Sequence, residues 1–257
     1  MSAVRLSLRD LSVAIGGRKV VENLSLDMTG GNLVALVGPN GAGKTSVLRA
    51  LVGLLAHEGS ATLDGRSLSA LDRRERAQRV AYLPQGHEAH WPLPARDIVA
   101  LGRVPHGAGD PTRLRDSDAA LVAEAMRLTD TEHLADRPVT QLSGGERARV
   151  ALARVFAVSA PVILADEPTA ALDPSHQIAV MKALRRAADR GALVIAVTHD
   201  LGLATRFGDT IAVLKGGRLA ASGPPAEALS DAVLRSVFGV EAFRAEHAGS
   251  AVLVPWA

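Results

Sequence analysis

Residues 33–45 read LVALVGPNGAGKT. The unbroken apolar run Leu33 to Val37 suits a strand covered on both faces. The loop after it, Gly38-Pro39-Asn40-Gly41-Ala42-Gly43-Lys44-Thr45, fits G-x-x-x-x-G-K-[ST]. Glycines let backbone N–H groups turn inward around phosphates, and a helix opening at the lysine adds the positive end of its dipole. Lys44 would put a point charge at the β- and γ-phosphates, and the Thr45 hydroxyl can ligate Mg2+. Ser46 continues the same helical turn. A bland alternative is a glycine-rich turn with a chance lysine. Only four of the 29 basic residues are lysine (Lys19, Lys44, Lys182 and Lys215), which disfavours chance. The unit predicts an α/β chain that binds a nucleoside triphosphate.

The rest of the chain supplies a sheet around that unit. Val4, Leu6 and Leu8 alternate with polar residues, Leu11 to Ile15 looks similar, and Gly16-Gly17 turns into Val20-Val21. This opening reads as antiparallel strands. The phosphate-loop helix is expected to run to about Leu55. A strand at 60–63 ends in the Asp64-Gly65 turn, and a short strand covers 80–83. Residues 86–113 are loops with one short helix near 95–102. Helices are expected at 116–128 and 144–157, and no strand between about 86 and 158. Strand character returns at 162–165 and 193–197, with a helix at 175–189 between them, so the sheet is parallel with right-handed crossovers. Residues 211–214 and 218–221 read as a hairpin around Gly216-Gly217. The tail from about 225 reads as two short helices and an apolar end, Val252-Leu253-Val254.

Several function classes are excluded early. The 257 residues include no Cys, so thiolate metal sites and Cys nucleophiles are out. Net charge is only +2, which gives no support to nucleic-acid binding. Met1-Ser2-Ala3-Val4-Arg5 lacks a signal-peptide pattern. No stretch approaches ~18 uncharged apolar residues, so no membrane span is expected.

A second set of residues completes an ATPase. The apolar run 162–165 ends in Asp166-Glu167. At a strand's C-terminal edge, Asp166 is placed to hold Mg2+ through water, and Glu167 can act as general base. Leu142-Ser143-Gly144-Gly145-Glu146 opens a predicted helix with a hydroxyl and unencumbered N–H groups, a second anion site. His199 follows strand 193–197 and could reach the γ-phosphate, although alone such a histidine is more often structural; Gln85 could ligate Mg2+ through its side-chain oxygen or be a surface amide before a loop. His87, His90 and His106 carry no carboxylate framework and are not read as a metal site.

These strings together resemble the ATP-binding cassette (ABC) ATPases. LSGGE looks like their signature motif, VILADEPTAALD their Walker B strand and D-loop, Gln85 their Q-loop and VTHD their H-loop, over about residues 4–240. The resemblance implies a RecA-like P-loop NTPase core (1–85 and 158–240), an N-terminal antiparallel β subdomain, an inserted helical subdomain (86–157) and a short tail (241–257). It implies ATP and Mg2+, with Glu167, His199 and Lys44 catalytic. It also implies a head-to-tail homodimer in which Ser143, Gly144 and Gly145 cover the partner's ATP. A permease would dock near 86–110, beneath an external substrate-binding protein. The chain is then peripheral at the cytoplasmic face of the plasma membrane.

Residues 80–85 (VAYLPQ), Ala95 to Arg103, and His176-Gln177 after Leu172-Asp173 resemble iron-siderophore, haem and vitamin B12 importers. A zinc or manganese importer and a soluble non-transport ABC ATPase are the alternatives. Two positions depart from the pattern. Ala171 stands where Ser often precedes Leu. Ile15 stands where an aromatic usually stacks on adenine, and residues 1–81 contain no aromatic at all, so Val20 and the stem of Arg18 must substitute.

Overall fold

The structure is a computed structural model that describes residues 3–86 and 92–256. Residues 87–91, including His87 and His90 and part of the expected docking stretch, lie outside the described residues.

The chain opens with β1 (Arg5–Ile15) and β2 (Arg18–Thr29), paired antiparallel around the Gly16-Gly17 turn. β3 (Leu33–Val37) feeds α1 (Lys44–Leu51), and β4 (Glu58–Leu63) and β5 (Arg66–Ser67) return to the first sheet. Helix α1 stops short of Leu55. Val52 is its C-cap and Gly53 adopts φ +75°, a left-handed stop signal. A helix not expected from the sequence, α2 (Arg73–Arg79), follows; Asp72 caps it by accepting from the Glu75 N–H. β6 (Val80–Leu83) then leads to Gln85.

The described part of 86–157 holds α3 (Ala95–Ala100), a 3-10 segment Leu101–His106, α4 (Asp116–Leu128) and α5 (Gly144–Ala157). Its described residues form no strand, only an isolated bridge between Pro94 and Pro138. A buried ion pair ties these pieces together. Arg103 Nε donates to Asp118 Oδ1 at 2.9 Å, and its NH1 donates to the Ala157 carbonyl at 2.8 Å. His106 Nε2 lies 2.9 Å from the Val158 carbonyl, so this histidine serves the end of α5.

β7 (Val162–Asp166), α6 (Pro174–Asp189), β8 (Leu193–Val197), α7 (Leu201–Phe207), β9 (Thr210–Lys215) and β10 (Arg218–Gly223) complete the second sheet. Its order is β10-β9-β3-β8-β7-β6, parallel except for the antiparallel β9–β10 pair. β3, β7 and β8 are buried along their whole length, as their apolar runs predict. Their alternation sorts side chains between layers. Val162 and Leu164 face the α1 and β1–β2 side, whereas Ile163 and Ala165 face α3–α6. On β3, Ala35 and Val37 join a third cluster with Ile211, Val213 and the C-terminal segment.

The tail begins with α8 (Pro225–Ala228) and α9 (Asp231–Val233), the two short helices expected. Its end is not a loose apolar segment. β11 (Glu241–His247) and β12 (Ser250–Trp256) form an antiparallel hairpin, with Leu253 buried in the third cluster beside α7. The opposite hairpin face leaves Phe243, Val254 and Trp256 exposed.

Candidate functional site

The phosphate loop sits between the C-terminal end of β3 and the first turn of α1. Two of its glycines are required by close approach. A Cβ on Gly38 would lie 2.2 Å from the Leu214 carbonyl oxygen, and one on Gly43 2.5 Å from that of Val20. Both also have positive φ, +151° and +96°. Gly43 is the left-handed N-cap that turns the chain into α1. The loop encloses a cleft of ≈230 Å³ lined by Val20, Asn40, Gly41, Ala42, Gly43, Lys44, Thr45, Ser46, Glu167 and His199. Residues more than a hundred positions apart thus meet beyond the C-terminal ends of β3, β7 and β8, where open α/β folds bind ligands.

Lys44 is buried, and its Nζ donates to the carbonyls of Gly38 at 2.8 Å and Pro39 at 3.0 Å. Burial lowers its pKa, while Glu167 and Asp166 oppose that shift. Asp166 is fully buried at the end of β7. Its Oδ1 accepts from Thr45 Oγ1 at 3.0 Å and its Oδ2 from the Tyr82 hydroxyl at 3.2 Å. Burial pushes this carboxyl up from its ordinary value, and the Thr45 and Tyr82 donors pull it back.

Glu167 follows with φ +49°, a conformation rare for a non-glycine residue. Its N–H donates to the Val197 carbonyl at 3.1 Å, which ties the turn to β8. Its side chain is held at both oxygens. Gln85 Nε2 donates to Oε2 at 2.8 Å, and His199 Nε2 lies 2.6 Å from Oε1. Gln85, Asp166, Glu167 and His199 therefore gather around the phosphate loop, as the sequence predicts.

The signature residues are not brought into the phosphate cleft. Ser143, Gly144 and Gly145 open α5 outside it. Ser143 forms a capping box: its Oγ accepts from the Glu146 N–H at 3.3 Å, and its own N–H donates to Glu146 Oε2 at 2.7 Å. Gly145 has no room for a side chain, because a Cβ would stand 2.3 Å from the His176 ring. Arg149 NH1 lies 3.0 Å from His176 Nδ1, which fixes that ring.

At Val20 the cleft surface is aliphatic, and beyond it charged. Val20 and Gly41 also line an adjoining cleft of ≈560 Å³ with Arg18, Lys19, Glu22, Gly216 and Gly217. Ile15 lines neither cleft; it is 48% exposed at the end of β1, opposite Arg18. Sequence reasoning missed Tyr82 and His176 as site residues. The signal for Tyr82 was its place, the only tyrosine in the chain and three residues before Gln85.

The Thr45 hydroxyl and the Asp166 carboxylate, 3.0 Å apart, are the hard oxygen donors that Mg2+ prefers, whereas Gln85 is turned by its Nε2 to Glu167. Among the described residues no group of three or more His, Cys, Asp or Glu could hold a metal without such help. No described helix is long and apolar enough to cross a membrane.

Comparison with known proteins agrees with this geometry. The family described as ABC transporter matches residues 21–170. The hemin import ATP-binding protein HmuV of Rhodococcus jostii is 46% identical over 256 residues, 98% of this chain and 87% of the relative. That of Streptomyces coelicolor is 44% identical over 248 residues, 95% of this chain and 88% of the relative. Among solved structures, a metal-chelate type ABC transporter in an inward-facing conformation superposes with TM-score 0.83 at 25% identity, covering 100% of this chain and 98% of that one. A dimeric ATP-binding cassette bound to ADP and Pi superposes with TM-score 0.73 at 28% identity over 86% of this chain and 98% of that one. A phosphate loop, a strand-end carboxylate pair and a signature helix in one fold of this descent mean that the chain belongs to the ABC transporter family, as one of its ATP-binding ATPase cassettes.

Proposed function

We propose that this chain is the ATPase subunit of a bacterial importer of a metal chelate, with haem as its cargo, acting as a homodimer beneath a membrane permease. The observation that carries the reading is a division of labour. The phosphate cleft holds Lys44, Thr45, Glu167 and His199, while Ser143 and its glycines open a second anion-ready helix end outside it. A head-to-tail pair of chains would complete both sites. The names of the full-length relatives support haem over siderophore or cobalamin. The chain would sit peripherally at the cytoplasmic face of the plasma membrane, with the permease against the stretch near 86–110.

In this reading the loop from Gly38 to Ser46 cradles the triphosphate. Lys44 exchanges its bonds to its own loop carbonyls for bonds to phosphate oxygens. Thr45, Gln85 and Asp166 would hold Mg2+, which neutralises phosphate charge when bound. Glu167 takes the proton of the attacking water, and His199 orients that carboxylate through the 2.6 Å contact. Val20 meets the base end. Closure of two shared sites, reopened by hydrolysis, is a two-state device that the helical insert can relay.

Two measurements test this. Glu167→Gln should bind ATP, lose roughly 10²–10⁴ in hydrolysis rate and accumulate as a closed dimer; hydrolysis near the parent rate would remove Glu167 as the base. Reconstituted with its permease, the chain should hydrolyse ATP faster when haem-loaded binding protein is supplied. Equal stimulation by a zinc-loaded or siderophore-loaded protein would overturn the haem assignment.

A further inference from the structure

Asp166 is held from two sides by parts of the fold that lie far apart in sequence. Thr45, on α1, donates to Oδ1, and Tyr82, on β6, donates to Oδ2. β6 lies parallel to β7, with Tyr82 beside Leu164 and Leu83 beside Ala165. The two strand ends therefore run out together: Tyr82 meets Asp166, and Gln85 meets Glu167. The phenol has one proton to donate, and the carboxylate accepts it as a hydrogen bond.

We propose that Tyr82 is a positioning residue for the metal site: its hydroxyl fixes Asp166 Oδ2 and so presents Oδ1, together with Thr45 Oγ1, as one oriented donor pair to the Mg2+ that accompanies ATP. The Tyr82–Asp166 bond makes this orientation independent of the phosphate loop's own backbone. It also puts one strand end, β6, in charge of both carboxylates, and β6 is the strand that runs directly into Gly86 and the expected docking stretch. The inference rests on the reading of the cleft as an ATP site.

The test uses the whole chain with Glu167→Gln as a non-hydrolysing parent. Mn2+ replaces Mg2+ and is titrated by electron paramagnetic resonance in the presence of ATP; ATP affinity is measured separately in EDTA. Tyr82→Phe should weaken Mn2+ binding by about tenfold, the scale of one hydrogen bond to a charged group, while metal-free ATP affinity stays within about twofold. A merely structural tyrosine would instead weaken ATP binding equally with and without metal. That result, or Mn2+ affinity unchanged in Tyr82→Phe, overturns the proposal. Should Tyr82→Phe fail to fold, Tyr82→Leu, which also lacks the hydroxyl, decides by the same criterion. A parent that binds no ATP under either condition would overturn the ATP-site reading itself, a different failure from this one.

Discussion

In the proposed function the base of ATP meets Val20, and Ile15 holds the sequence position at which an aromatic is expected to stack. Ile15 is half exposed, and among the described residues neither of the clefts bounded by Val20 and Gly41 is lined by Phe, Tyr or Trp. Glu22, the one carboxylate at that end, is engaged by Arg218 at 2.6 Å. Stacking on an aromatic is worth on the order of 1 kcal/mol or more, and here only aliphatic and charged surface is offered. A site held mainly through phosphates reads the base poorly. GTP should therefore be bound and hydrolysed within about tenfold of ATP. Ile15→Tyr should tighten ATP by roughly a few-fold. Paired affinity measurements for both nucleotides decide it; strong ATP preference in the natural protein, with no gain from tyrosine, would refute the claim. Ala171 is the other departure at this scale. It takes φ +57° in the D-loop, where alanine has no local hydrogen bond to offset the strain.

Among elements, the contact between α5 and α6 is the most constrained. The signature helix starts at Ser143, and α6 starts one residue after Asp173 of the D-loop. Gly145 and His176 lock the two starts together, with Arg149 holding the ring. Gly145→Ala forces a Cβ into that ring and should destabilise the chain by roughly 1–3 kcal/mol, the usual scale of overpacking. Adding His176→Ala removes the obstacle. The double variant should then be more stable than the sum of the single changes, because residues in contact are not additive. Denaturant unfolding of the four proteins measures this, and strict additivity would show that the two starts are not coupled. The far end of α5 is tied separately, by Arg103, Asp118 and His106. The signature helix is thus held at both ends by different neighbours.

For the whole molecule, the proposed function gives each chain two half-sites that do not meet within it. Lys44→Ala disables one and Ser143→Arg the other, so each variant alone should be inactive. In a mixed dimer both defects fall in one site and the other site is intact. Mixing the two inactive proteins should restore hydrolysis. Absence of recovery, with mixed dimers demonstrated by cross-linking, would refute sharing between chains. The C-terminal hairpin adds a further packed layer at this scale: Leu253 closes the cluster formed with Ile211, Val213 and Leu229.

Much of this was legible before any coordinates. The phosphate loop, the Asp166-Glu167 pair and the signature helix were readable because each is set by local chemistry: glycines for turns, a buried apolar strand, a Ser-x-x-Glu cap. Other elements escaped for equally local reasons. α2, RRERAQR, buries no residue and so shows no apolar period; only its Asp72–Glu75 cap marked it. The terminal hairpin turns at Ala248-Gly249 with φ +49° and +73°, and alanine hides a turn that Asn-Gly would have announced. Helix α1 ends before the expected Leu55 because Gly53 turns left-handed at φ +75°. Local chemistry sets which residue types stand at the C-terminal ends of the strands. Only the packed sheet sets which of them touch. Tyr82 reaches Asp166 across 84 positions and Gln85 reaches Glu167 across 82, because β6 pairs with β7. Strand order is a property of the closed core, settled by which apolar faces cover one another, and no local spacing encodes it.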